Sequence, residues 1–172
     1  SEILLNKSIN NMKSLNFFKS VKSKIIENNE NNTKSVEIYL DEKPTGEIYA
    51  NAGVGTSGGT IGGGLVERNF LSKGINLNTL LEISQDSVKG KFIYSKPNFA
   101  YTDNTLFTSL ESTSSDFLID YGYKVSTTGF SVGTEFEQYE NFYFSPTVAL
   151  ALEDLETDST ASAQLKKQEG SY

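Results

Sequence analysis

From Gly46 onward no segment keeps a helical period until the last few residues. Short runs of alternating apolar and polar side chains return instead, again and again. A period of two puts successive side chains on opposite faces of an extended strand, so this pattern commits most of the chain to β-sheet. Strands are expected at roughly 46–55, 60–70, 75–86, 88–96, 105–114, 124–137 and 142–153. In the first, Ile48, Ala50, Ala52 and Val54 oppose Glu47, Tyr49, Asn51 and Gly53. In the third, Ile75, Leu77, Thr79, Leu81 and Ile83 oppose Asn76, Asn78 and Glu82. In the last, Phe142, Phe144, Val148, Leu150 and Leu152 oppose Tyr143, Ser145, Thr147 and Ala149. The fourth and fifth runs leave their register open.

One apolar face per strand fits a soluble β-sandwich as well as a barrel in a membrane. The connections favour the barrel. Leu71–Gly74 and Asp86–Ser87 are tight turns, whereas the stretches 98–104 and 114–123 vary in length, as in an up-and-down meander. The polar faces carry Asn, Ser, Thr, Glu and Lys, which suits a wet lumen. Phe70, Tyr94, Phe99, Tyr101 and Phe117 fall near strand ends, where aromatic girdles sit. Each run is long enough to cross an apolar band of about 25 Å when tilted. Gln168–Tyr172 reads as the start of a further strand after a short helix or loop at 159–167, so about seven strands would form an open sheet.

Before Gly46 the pattern differs. Leu5, Ile9 and Met12 recur at helical spacing, with Ser1 as a candidate cap and Glu2 at the favourable end of the dipole. A strand after Asn16, a polar turn at 27–34 and an alternating strand through Val36, Ile38 and Leu40 complete half of a small α+β module. Pro44-Thr45-Gly46 then acts as a linker. Residues 1–43, 44–46 and 47–172 are thus expected to be a partial module, a linker and a partial barrel, the whole a fragment of a longer protein.

Little catalytic material is present. The chain has no His and no Cys, which removes the usual general bases, zinc ligands and thiol nucleophiles. Its net charge of -7 argues against a nucleic-acid partner. Gly53-Val54-Gly55-Thr56-Ser57-Gly58 has the spacing of a dinucleotide loop, but Gly59, Gly62, Gly63 and Gly64 preclude the helix that must follow it, and no phosphate-binding GK[ST] motif exists. The pairs Asp41-Glu42 and Glu135/Glu137/Glu140 read as solvated faces. No enzyme, cofactor, nucleotide or metal site is expected. The glycines read instead as a flexible hairpin and close-packed strand, or as a strand kept weak so that its backbone can be offered to another strand.

Leu15-Asn16-Phe17-Phe18-Lys19-Ser20-Val21, then Val36-Glu37-Ile38 and Glu42-Lys43-Pro44-Thr45-Gly46, resemble the last POTRA (polypeptide-transport-associated) repeat of BamA-type outer-membrane assembly factors. Gly53-x-Gly55 through Asn69-Phe70-Leu71-Ser72-Lys73-Gly74 is similar to the first barrel hairpin of that family, and Lys96-Pro97-Asn98-Phe99 to its Asn-Pro-x-Phe turn. Ser72 and Lys96 depart from it where Gly and Asn are usual. The resemblance implies a bacterial outer-membrane location with the N-terminal module in the periplasm. It further implies ATP-independent insertion of nascent outer-membrane proteins, and accessory lipoprotein partners.

On this basis Glu47, Ile48, Tyr49, Ala50, Asn51, Ala52, Gly53, Val54 and Gly55 are expected to form a seam strand that pairs with client strands. Ile61, Leu65, Ile75, Leu77, Leu81, Ile83, Phe144, Val148, Leu150 and Leu152 are expected to face the lipid bilayer, and Val36, Ile38 and Leu40 to lie on a POTRA edge strand. A two-partner-secretion or related barrel conducting its substrate through the lumen is the first alternative. A soluble β-sandwich binding module is the second.

Overall fold

A computed structural model describes residues 2–28, 33–55 and 58–172. The candidate cap Ser1, the centre of the polar turn at 27–34, and Thr56-Ser57 of the glycine motif lie outside the described residues. The chain divides into two compact units, Ser1–Thr45 and Gly46–Tyr172.

In the first unit, helix α1 (Glu2–Ser14) precedes strands β1 (Phe18–Asn28) and β2 (Thr33–Glu42), which pair antiparallel as a two-stranded sheet. The register sets Val21 opposite Leu40 and Ile25 opposite Val36, giving that sheet one apolar face. Its core is thin. Among the described residues of this unit only Ile9 of the helix and Val21 of the sheet are buried, and Val36, Ile38 and Leu40 remain exposed. β2 pairs with β1 alone among the described residues, so its other edge is open.

The second unit is one antiparallel sheet built from β3 (Gly46–Gly55), β4 (Gly58–Phe70), β5 (Ile75–Ser84), β6 (Ser87–Lys96), β7 (Thr105–Phe117), β8 (Tyr123–Tyr139), β9 (Phe142–Phe144), β10 (Thr147–Thr157) and β11 (Gly170–Ser171). Its order is β11-β10-β8-β7-β6-β5-β4-β3, with β9 also pairing β8, and the path does not close on itself. The protein is therefore mainly β, an open up-and-down meander. A helical turn, α2 (Leu118–Tyr121), joins β7 to β8, and α3 (Ala163–Lys166) precedes β11.

Two sequence expectations change in detail. The seventh strand is interrupted: β9 ends at Phe144, and pairing resumes at Thr147. Phe136 opposite Phe144 and Gly133 opposite Thr147 belong to one continuous register, so the cause is Pro146, which has no N–H to give the ladder. The connection placed at 114–123 is shorter, because β7 runs on to Phe117 through Ser114, Ser115 and Asp116, which carry no apolar signal, with the Ser114 hydroxyl meeting that of Ser126 on β8.

Turn chemistry fits the sharp corners. Asn69 organises the β4–β5 turn, its carbonyl accepting from Ser72 N–H at 2.9 Å and its side chain from Gly74 N–H at 2.8 Å. Leu71, Ser72 and Gly74 all take left-handed backbone there, with φ of 56°, 55° and 63°. Glycine would suit the Ser72 position for that reason.

Candidate functional site

Directly opposite residues in an antiparallel ladder share a face, so the register assigns every side chain of the large sheet. The central rung of one face runs Ile48, Leu65, Thr79, Phe92, Leu110, Phe130, Leu150 across seven strands. Nearly all of it is apolar, and it is largely exposed: Ile48 by 86%, Phe130 by 50% and Leu150 by 73%. Ile61, Leu81, Ile83, Val148 and Leu152 lie on the same face and are likewise exposed. A continuous apolar sheet face of this extent needs an apolar surrounding.

The band slants across the ladder. The rung Ala52, Ile61, Ile83, Val88 continues as Ser114, Ser126, Asp154, turning polar after β6. The rung Glu67, Leu77, Tyr94, Thr108, Val132, Val148 does the reverse, charged at β4 and apolar at β8 and β10. Rungs perpendicular to tilted strands climb relative to the barrel axis, so a band of constant height must cross them obliquely. The polar end satisfies itself, with Ser114 and Ser126 hydroxyls 3.0 Å apart and Ser112 and Thr128 hydroxyls 3.1 Å apart.

The opposite face is polar. Glu111 on β7 bridges Lys89 and Lys91 on β6 at 3.0 Å each, and Ser109 meets Ser131 at 2.7 Å. Asn51, Asn78, Glu82 and Thr113 lie on the same face by register. Among the described residues no group of three His, Cys, Asp or Glu side chains could hold a metal ion. Among the described residues no helix is long and apolar enough to cross a membrane.

Ile75 departs from its expected role. Expected to face lipid, it is only 7% exposed, buried where the β4–β5 register shifts between Glu67 and Phe70. Strand parity alone does not reveal that burial. Leu77 is half-buried on the apolar face. Phe144, reached through the Phe136 rung, packs its ring edge-on to Phe136 at 5.7 Å. Val88, Phe92, Leu110, Phe130 and Val132 belong to the same band and were not singled out in the sequence. Their signal was there as alternation, but Ser and Thr neighbours in β7 and β8 dilute it. Of the aromatics expected at strand ends, Phe70 and Phe117 are last in their strands, and Phe99 and Tyr101 form the turn after β6. Tyr94 sits further in, two positions before the β6 terminus.

Glu47 through Gly55 all fall on β3, which pairs only with β4 among the described residues and so ends the sheet. Every residue of it is exposed. Glu47 carboxylate oxygens accept from Arg68 guanidinium N–H groups at 2.8 and 3.1 Å, a fork-to-fork pair joining β3 to β4. Tyr49 reaches further, its hydroxyl donating to the Thr79 carbonyl on β5 at 3.0 Å.

No family model matches the sequence, and no curated protein matches it. Among solved structures the fold is similar to the crystal structure of BamA from Haemophilus ducreyi lacking POTRA domains 1–3. The TM-score is 0.78 at 21% identity, over 89% of this chain and 30% of that one. The chain has the fold of part of a BamA-type barrel. It spans 30% of the length of that BamA chain.

Proposed function

We propose that this chain is part of an outer-membrane β-barrel assembly factor, one that folds and inserts client outer-membrane proteins. The observation that carries the reading is an edge strand, β3, at the end of a sheet whose outer face is an exposed, slanted apolar band. In a bilayer every backbone polar group must find a partner, so a free strand edge at that depth calls for another strand. A client strand pairing along Glu47 to Gly55 would be bound by main-chain hydrogen bonds, which do not depend on client sequence. In this reading residues 1–43 are the end of a periplasmic POTRA module, 44–46 the linker and 47–172 the first part of the barrel in the bacterial outer membrane. The open edge of β2, carrying Val36, Ile38 and Leu40, is a second strand-addition surface for clients or accessory lipoproteins.

Cysteines at Ile48, Ala50, Ala52 and Val54 of the full-length protein should crosslink to a stalled client. Crosslinks confined to polar-face positions such as Ser109 and Ser131 would instead mark a conduit through the lumen and overturn templating. Ala50→Pro, which removes a backbone donor, should impair assembly more than Ala50→Val.

A further inference from the structure

In the large sheet a side chain ties together strands that are not neighbours. Tyr49 on β3 passes over β4 and donates its hydroxyl to the Thr79 carbonyl on β5. It can do so because Gly64 lies beneath it. A Cβ placed on Gly64 would come within 2.7 Å of the Tyr49 hydroxyl oxygen and 2.8 Å of the ring carbon bearing it, and would collide with the Thr79 carbonyl oxygen. Any residue but glycine there would push both away. The β4–β5 ladder is adapted to the same arrangement: Leu65 N–H donates at 2.9 Å to the Thr79 hydroxyl, while the Thr79 carbonyl accepts from Tyr49. Covering a strand glycine with an aromatic ring from the adjacent strand is a known way to pin register and strengthen a sheet.

The tie is unevenly placed along the strand. Glu47 is held to Arg68 by two hydrogen bonds and Tyr49 to Thr79 by one, so both side-chain fastenings lie in the first half of β3. Beyond Asn51 come Ala52, Gly53, Val54 and Gly55. These pair with Ile61, Thr60, Gly59 and Gly58, and a Cβ at Gly53, Gly55 or Gly59 would meet nothing within 4 Å. Val54 is 93% exposed. Among the described residues no side-chain hydrogen bond or ion pair fastens this part of the edge strand.

We propose that Tyr49 is a latch, a positioning residue that fastens the edge strand to the third strand of the sheet across Gly64, so that β3 is firm through Asn51 and frays from its Gly55 end. The fastening stands on geometry alone. Its meaning for client pairing rests on the reading above: a firm first half would set the register of an incoming strand, and a loose second half would let that strand zip on.

The test is amide hydrogen exchange of the full-length protein in lipid, comparing the parent with Tyr49→Phe, which keeps the ring and deletes the donor. In the parent, amides of 52–55 should exchange faster than those of 47–51. In Tyr49→Phe, exchange over 47–51 should rise about fivefold, the effect of one net hydrogen bond, with β7 and β8 unchanged. Unchanged exchange over 47–51, or a rise spread equally through β7 and β8, would overturn the latch. Client insertion measured on the same variant separates the two readings. A local rise in exchange with insertion unaffected keeps the latch and removes its part in templating.

Discussion

The face assignment is most sharply tested at Leu150. It stands on the central apolar rung, beside Phe130, and is 73% exposed. Its neighbour Ala149 lies opposite Ser131, on the polar face. If the exposed band meets water, Leu150→Arg adds a charge to an exposed position and should change stability by no more than about 0.5 kcal/mol. If it meets hydrocarbon, the same guanidinium must enter the middle of the bilayer, at a cost of about 2–4 kcal/mol. That is about a thirtyfold to thousandfold change in the folding equilibrium. Ala149→Arg points the same group into a wet lumen and should cost little. Both variants of the full-length protein would be folded into phosphatidylcholine vesicles and titrated with denaturant, following far-UV circular dichroism. Two variants that both lie within about 0.5 kcal/mol of the parent would refute the lipid-facing band. A costlier Ala149→Arg would show that the two faces had been assigned the wrong way round.

Two further outcomes follow from local geometry. Gly64→Ala should destabilise the folded protein by about 1–3 kcal/mol, because its methyl group would strike the Thr79 carbonyl and the Tyr49 hydroxyl. Gly53→Ala, with open space around its Cβ, should stabilise by about 0.5–1 kcal/mol; equal effects in the same denaturant titration would count against the close approach at Gly64. In the connection after β10, the Thr160 hydroxyl and backbone N–H donate to Asp158 at 2.6 and 2.7 Å and hold its carboxyl below the usual range. A depressed carboxylate contributes fully above its ordinary range, and that contribution is lost as pH falls through the lower, folded value. Thr160 amide protection should therefore persist through the ordinary Asp range and fall only at more acid pH; a loss within that range would disprove it.

Alternation by itself determined the broad class of this protein. Period two from Gly46 onward made it a β-sheet, and the glycines after Gly58 removed a nucleotide loop in favour of strand β4. It also put Ile48, Ala50, Ala52 and Val54 on one face of their strand and Val148, Leu150 and Leu152 on one face of theirs, because parity within one strand needs no partner. What the tertiary structure decided was everything that depends on which residue stands opposite which. Only the register joins Phe92, Leu110 and Phe130 into a band with Ile48, and only it reveals that the band slants. Ile75 obeys the parity of β5, yet it is buried, beside the register shift at the β4–β5 turn. Pro146 marks a break in the sequence, but not that the ladder resumes in register beyond it. Tyr49 looked like one more polar-face residue of a weak strand. Its reach over Gly64 to Thr79 joins positions thirty residues apart in the chain, and no local pattern encodes a contact of that length.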